Sequence, residues 1–185
     1  MTGPGRAELG RRLLERAYLE GDFVLRSGRR SRYYLDKYRF ETEPELLAGL
    51  GREIAALQRE HAPAAELLAG PELGAVPLAA AASMEAGLPF VIVRKAAKDY
   101  GTANRLEGVY EPGQRVCVVE DVVTSGGALL AAVAALRNAD LDVCAAICVV
   151  DREEGGAAAV AAAGVPFHPL FTASDLGVTS VTQSA

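Results

Sequence analysis

Short apolar segments alternate with helix-like segments between residues 66 and 172 of this chain. The apolar segments have the length and β-branched content of buried strands; they are "ELLAG" (66–70), "PFVIVRK" (89–95), "RVCVVED" (115–121), "DVCAAICVVD" (142–151) and "PFHPLFT" (166–172). Helices are predicted between them, at "GAVPLAAAASMEAG" (74–87), "ALLAAVAALRNA" (128–139) and "EEGGAAAVAAAG" (153–164). Apolar strands joined through helices are typical of a parallel sheet covered on both faces. We therefore expect an α/β fold.

The N-terminal part has a different pattern. Residues 7–21 have helical periodicity, and residues 22–40 predict two short strands around a Ser-Gly turn. A helix is predicted over residues 42–60, with Thr42 at its cap and Pro44 in its first turn. The length of 185 residues fits one domain.

Composition excludes several classes of protein. A net charge of −5 argues against a general nucleic-acid binder. No apolar run approaches the roughly 18 residues of a membrane span, and the first residues lack a signal peptide's apolar core, so we expect a cytoplasmic protein. The three cysteines, Cys117, Cys144 and Cys148, lie in strand-like segments and are expected to be reduced core thiols. His61 and His168 are far apart in sequence, which argues against a histidine-based zinc site.

The segment "VCVVEDVVTSGGA" (116–128) predicts a phosphate site. Backbone N–H groups of the Ser-Gly-Gly turn (125–127) can bind an anion where the next helix begins, and the hydroxyl of Thr124 adds a donor. Glu120 and Asp121 would repel a phosphate, but they can accept hydrogen bonds from sugar hydroxyls. A ribose 5-phosphate satisfies both requirements. The acids alone would also be compatible with a solvated strand end before a capped helix.

A basic patch occupies residues 26–39, where six basic residues accompany one acid, Asp36. Such a patch suits a small anionic substrate; a nucleic acid is the alternative, but the patch is short and the chain acidic. Tyr33 and Tyr34 can offer apolar faces to a planar base, although neighbours on a strand face opposite ways and at least one should pack in the core.

The segment 116–128 closely resembles the phosphoribosyl-pyrophosphate (PRPP) signature of type I phosphoribosyltransferases. Three further segments resemble orotate phosphoribosyltransferase: "FVLRSGRRSRYYLD" (23–36), "VIVRKAAKDYGTANRLEGVY" (91–110) and "VVDREEGG" (149–156). The resemblance implies transfer of ribose 5-phosphate from PRPP to orotate, giving orotidine 5′-monophosphate and pyrophosphate in pyrimidine biosynthesis. It also implies a type I phosphoribosyltransferase fold, with a hood formed mainly by about 1–40, a core of about 41–172 and a C-terminal tail. A PRPP-binding regulatory protein and a purine-type phosphoribosyltransferase are the alternatives.

The resemblance also implies site residues. PRPP would contact Arg94, Lys95, Lys98, Tyr100, Glu120, Asp121, Val122, Val123, Thr124, Ser125, Gly126, Gly127 and Ala128. Orotate would contact Arg26, Tyr34, Thr124 and Arg152. Catalysis would depend on Lys98, Glu120 and Asp121, with Lys98 neutralising charge on the leaving pyrophosphate.

The resemblance further implies that Mg²⁺ is bound mainly through PRPP oxygens and water, without a protein cage. A homodimer with shared active sites is expected, without nucleic-acid or membrane partners.

Overall fold

The structure is a computed structural model that describes residues 5–24, 30–96 and 105–178. The N-terminal elements are α1 (Arg6–Ala17), β1 (Tyr18–Val24), β2 (Arg30–Leu35), α2 (Lys37–Glu41) and α3 (Pro44–His61). The elements that follow are β3 (Leu67–Pro71), α4 (Ala75–Ala86), β4 (Phe90–Val93), β5 (Leu106–Glu107), β6 (Arg115–Val123), α5 (Gly127–Arg137), β7 (Asp142–Asp151), α6 (Gly156–Ala162) and β8 (Phe167–Thr172).

Six strands form the central sheet in the order β5-β4-β3-β6-β7-β8. All neighbouring pairs are parallel except β4 and β5, which are antiparallel at one edge. β1 and β2 pair separately as an antiparallel hairpin. The predicted α/β fold with a parallel sheet is confirmed.

Apolar side chains of the sheet alternate between two cores. Cys117 and Val119 of β6 pack on one face with residues of α1, α2, α3 and α4. Val116 and Val118 pack on the other face with residues of α5 and α6. Because side chains along a strand alternate between faces, the next two residues, Glu120 and Asp121, point to opposite sides of the sheet.

The N-terminal elements differ from the prediction at two places. The first helix ends at Ala17, because Tyr18 already pairs with Leu35 in the hairpin. Residues at the end of the predicted strand region form the short helix α2 instead. The Thr42 hydroxyl donates to the Tyr38 carbonyl (2.6 Å) at the end of α2, and does not cap α3. Pro44 begins α3 as expected.

The cysteines and histidines have distinct environments. Cys117 and Cys148 are buried, Cys144 is half-buried, and all three are free thiols. His61, at the end of α3, stacks on His168 of β8 with ring centroids 4.0 Å apart, a contact that sequence distance concealed. Within the described ranges, no group of three or more His, Cys, Asp or Glu side chains could hold a metal ion.

None of the helices seen in residues 5–24, 30–96 and 105–178 is both long and apolar enough to cross a membrane.

Candidate active site

A cavity of about 610 Å³ opens beside the carboxyl ends of β3, β4 and β6. This edge is where open parallel sheets bind their ligands. Its lining residues are Pro71, Glu72, Val93, Arg94, Lys95, Arg105, Glu120, Val122, Val123, Thr124, Ser125, Gly126, Gly127, Ala128, Leu129, Ala131 and Ala132. The structure thus brings most described members of the predicted PRPP site into one cavity.

The turn before α5 lies in this cavity. Gly126 precedes the helix with φ of +81°, a left-handed conformation that glycine adopts without strain. No side chain caps the helix, so the first-turn N–H groups keep their capacity for a ligand. Thr124 and Ser125 are exposed beside them. Open backbone donors at a helix N-terminus and two nearby hydroxyls suit a phosphate.

Glu120 is buried and lines the same cavity. Its Oε1 accepts the Asp121 N–H (3.1 Å), whereas Oε2 has no hydrogen-bond partner among the described residues. Burial and the neighbouring Asp121 charge raise the pKa of Glu120. This carboxyl therefore retains one unpaired acceptor oxygen, buried beside the cavity.

Asp121 faces the other side of the sheet, toward α2. Its Oδ2 accepts a hydrogen bond from Lys37 Nζ (2.6 Å), and its Oδ1 accepts the Val122 N–H (2.5 Å). The carboxyl of Glu41 is buried beside this pair. The adjacent acids therefore occupy two environments: Glu120 lines the cavity, and Asp121 pairs with Lys37 beside α2.

Arg94 and Lys95 lie at the cavity rim, held by a carboxylate. Glu72 accepts the Lys95 backbone N–H (2.6 Å), and its Oε2 lies 3.8 Å from Arg94 Nε. Arg94 also lies 3.5 Å from Glu107. The Arg94 N–H donates to the Arg105 carbonyl (2.8 Å), and the Arg105 guanidinium donates back to the Arg94 carbonyl. The residues on both sides of the segment 97–104, which contains Lys98 and Tyr100, are thus fixed to the edge of the sheet.

Three predicted site residues lie outside the described residues. They are Arg26, Lys98 and Tyr100.

Arg152 follows β7 and is buried. Its backbone N–H donates to the Val123 carbonyl (2.8 Å), which places it next to Thr124. Its guanidinium lies 3.0 Å from Glu154 and 4.7 Å from the centre of the Tyr33 ring. A planar cation over an aromatic ring, beside the phosphate turn, can bind a planar carboxylate.

Tyr33, rather than Tyr34, lies against Arg152. Tyr33 is 6% exposed and stacks on Tyr18 at 5.6 Å, as expected for the inward-facing member of the tyrosine pair. Tyr34 is 39% exposed, with its ring 5.6 Å from that of Phe23.

Sequence reasoning did not single out Glu41 or Gly74, and it counted Lys37 only within the basic patch. Lys37 and Glu41 are separated by one helical turn, which is a sequence signal for a shared helix face. Nothing in their local sequence indicates contact with Asp121.

Comparison with known proteins gives a consistent family. Residues 40–163 match the family model described as "Phosphoribosyl transferase domain". The chain is 51% identical over 157 residues to the orotate phosphoribosyltransferase of Methanocella arvoryzae, covering 84% of this chain and 87% of that protein.

Solved structures agree. The fold resembles Mycobacterium tuberculosis orotate phosphoribosyltransferase in complex with Fe(III) dicitrate, with a TM-score of 0.84 and 35% identity, covering 94% of this chain and 99% of that one. The structure of the same enzyme in complex with 5-phospho-α-D-ribosyl 1-diphosphate, which is PRPP, has a TM-score of 0.80 and 33% identity, covering 94% of this chain and 99% of that one.

Proposed function

This chain belongs to the orotate phosphoribosyltransferases, and we propose that its cavity binds PRPP beside a base site formed by Arg152 and transfers ribose 5-phosphate to a ring nitrogen of orotate. The nitrogen bonds to C1 of the ribose with inversion as the bond from C1 to pyrophosphate breaks. The products are orotidine 5′-monophosphate and pyrophosphate. The observation that carries this proposal is the uncapped start of α5 next to Glu120, a buried carboxyl with one oxygen unpaired among the described residues, within one cavity.

The phosphates and hydroxyls of PRPP match the donors and acceptors around the cavity. The 5-phosphate lies in the turn 124–127, and the ribose hydroxyls donate to Glu120 and Asp121. Asp121 is not among the described residues that line the cavity, so its contact requires the sugar to lie across the end of β6. Both Asp121 oxygens already accept hydrogen bonds, but each carboxylate oxygen can accept more than one. The pyrophosphate lies toward Arg94 and Lys95, where it competes with Glu72 for the Arg94 guanidinium and the amide of Lys95.

Orotate binds where β7 ends. Its carboxylate replaces Glu154 as the partner of the Arg152 guanidinium, which forms bidentate contacts with planar carboxylates. Thr124 contacts the base from the phosphate turn. We assign Tyr34 and Arg26 to the hood side of the base, and add Tyr33, which positions the guanidinium through ring contact.

Mg²⁺ enters this proposal through its substrate. Among the described residues, Glu72 and Glu120 are the carboxylates that line the cavity, and Glu72 accepts the Lys95 amide. This sparse donor set fits an ion coordinated chiefly by PRPP oxygens and water. When bound, Mg²⁺ neutralises charge on the pyrophosphate.

Catalysis in this scheme depends on positioning and charge. Lys98 contacts the leaving pyrophosphate as its negative charge grows, and Tyr100 contacts PRPP nearby. We propose a homodimer in which the segment that contains Lys98 in each subunit contributes to the active site of the other subunit. Residues 1–40 form a hood over the base. We place this enzyme in the cytoplasm, where reduced thiols such as its three cysteines are usual.

Orotate consumption with PRPP and Mg²⁺ tests the proposal, measured spectrophotometrically beside uracil, adenine and hypoxanthine. Orotate should be the preferred acceptor, since uracil lacks the carboxylate that Arg152 binds. Arg152→Ala should raise the KM for orotate by about 10- to 100-fold, as expected for losing charged hydrogen bonds of about 1.5–3 kcal/mol. The KM for PRPP should change little.

Exposed Arg59 provides the matched control, because Arg59→Ala removes a guanidinium far from the cavity lining. Equal use of uracil would contradict the carboxylate assignment, and a preference for adenine or hypoxanthine would support a purine-type enzyme instead.

A further inference from the structure

Glu41 is a buried acid without a described partner. It ends α2 and is 1% exposed, yet neither carboxyl oxygen has a hydrogen-bond partner among the described residues. A buried polar group left unpaired costs free energy, so its retention calls for a physical explanation.

Gly74, just before α4, shows how closely the acids approach each other. A Cβ at this position would lie 2.2 Å from Asp121 Oδ2 and 2.7 and 2.9 Å from the two Glu41 oxygens. The glycine therefore leaves free the space that the two carboxyl groups occupy. Because one added methyl would touch both carboxyls, they lie close enough for the charge of each to disfavour ionisation of the other.

The charges around Glu41 favour its protonated form. Asp121 faces it from β6, Lys37 lies on its own helix, and Asp36 precedes that helix. Glu120, on the other side of the strand, acts on the same lysine. From α4 the nearest contact is the backbone at Gly74. Three buried carboxyls around one lysine cannot all be ionised cheaply. Burial, with the Asp121 charge, raises the pKa of Glu41 to about 8, although Lys37 acts in the opposite direction.

We propose that Glu41 is a positioning residue for phosphoribosyl transfer, which in its protonated form donates a hydrogen bond to Asp121 and holds that carboxylate on Lys37. The inference rests on the proposed function, because Asp121 is one of the ribose-binding acids. With Asp121 fixed from two sides, the end of β6 presents Glu120 and the phosphate turn in one geometry. Ionisation of Glu41 replaces the hydrogen bond by repulsion and weakens PRPP binding.

Glu41→Gln separates the donor from the charge. Glutamine keeps a donor for Asp121 but cannot ionise. The KM of this variant for PRPP at pH 7 should therefore lie within about twofold of the wild-type value. Such a change is small, because a loss of about 1.4 kcal/mol would change the KM tenfold. Above pH 8 the wild-type KM should rise relative to that of the variant, by at most about tenfold per pH unit, the limit for one titrating group. The titration of PRPP affects both proteins equally, so it cancels in the ratio of the wild-type KM to the Glu41→Gln KM.

Glu41→Leu removes the donor and should raise the KM for PRPP at every pH. Exposed Glu45 supplies the control, since Glu45→Gln should leave the pH profile unchanged. A constant ratio of wild-type to Glu41→Gln KM across pH 7–9 would overturn the proposal. So would a loss at pH 7 as large as that of Glu41→Leu, because the charge of Glu41 would then be the required feature.

Urea unfolding of wild type and of Glu41→Gln gives a second measurement that needs no enzymatic activity. A carboxyl whose pKa is raised by folding stabilises the protein below its unfolded value of 4.5, and this contribution is lost as pH rises through about 8. Glu41→Gln should therefore match wild type at pH 4, below the unfolded value, and should exceed it increasingly as pH rises from 6 to 9. If this difference appears in a protein that does not consume orotate, the proposed function fails while the protonation of Glu41 stands; equal stabilities at pH 9 would refute the protonation itself.

Discussion

Two consecutive acids in β6 have opposite physical situations. Glu120 lines the cavity, and burial disfavours its charged form while one of its oxygens has no hydrogen-bond partner among the described residues. Asp121 is equally buried but pairs with Lys37 and accepts a backbone N–H. The alternation of side chains along the strand causes this difference, since it sends one acid to the cavity and the other to α2.

Stability should therefore respond differently to neutralising each acid. Asp121→Asn removes a charge-assisted hydrogen bond to Lys37 and should lower the free energy of unfolding by about 1.5–3 kcal/mol. Glu120→Gln should not lower it, because burial already disfavours the charged form of Glu120. Urea unfolding at pH 7, followed by circular dichroism, measures both; the activity of each variant should fall. Equal destabilisation by the two substitutions would show that Asp121 gains nothing from Lys37.

At the scale of elements, α6 packs directly on the phosphate turn. A Cβ on Gly156 would lie 2.4 Å from Val123 Cγ1 and 2.5 Å from the Thr124 carbonyl oxygen. Gly126 is in turn near the Gly156 backbone. The first residue of α6 thereby sets the position of the turn, and the strand that carries Arg152 leads into that helix.

Gly156→Ala should disturb both stability and PRPP binding. Overpacking of this kind typically costs about 1–3 kcal/mol, and relief requires the turn to move. We expect a lower Tm and a raised KM for PRPP. Ala157→Ser, at an exposed position of the same helix, is the control. A lower Tm with an unchanged KM would mean that the helix yields and the turn keeps its geometry.

Sequence predicted the elements whose signals are local. The strands from β3 onward, except β5, and the helices between them were found within a few residues, because each is an apolar run bounded by glycine or proline. The two-residue strand β5 was missed, since it depends on antiparallel pairing with β4. The helix-to-strand change at Tyr18 was missed, since it depends on pairing with Leu35. The Lys37–Asp121 contact was missed for the same reason: its partners come together only when α2 packs against the sheet.

For the whole molecule, Lys98 of one subunit is proposed to act in the site of its neighbour. A homodimer then contains two composite sites, each combining one subunit's loop with the other's ribose-binding acids. A site formed by parts of two chains is compatible with the geometry, because Arg94 and Arg105, which flank the segment that contains Lys98, lie at the cavity.

Subunit mixing should reveal such sharing. Lys98→Ala protein and a protein with Glu120→Gln and Asp121→Asn should each be nearly inactive alone. A hybrid dimer should regain activity, because one of its two sites combines an intact loop with intact acids. Activity after mixing measures this, with subunit exchange verified by native mass spectrometry. Mixtures of each mutant with itself are the control, and an inactive hybrid population would exclude shared sites.

The hydrogen bonds between Arg94 and Arg105 determine the entropic cost of bringing together the ends of the segment between them. Because the folded sheet already holds these two residues together, bringing the ends of the intervening segment together adds no further cost when substrate binds. Lengthening such a segment is also inexpensive, since each doubling of a flexible loop costs only about 0.6 kcal/mol. The length of the segment can therefore change by insertion or deletion with little effect on the stability of the sheet. The length of the segment is thus limited by the chemistry it serves rather than by folding.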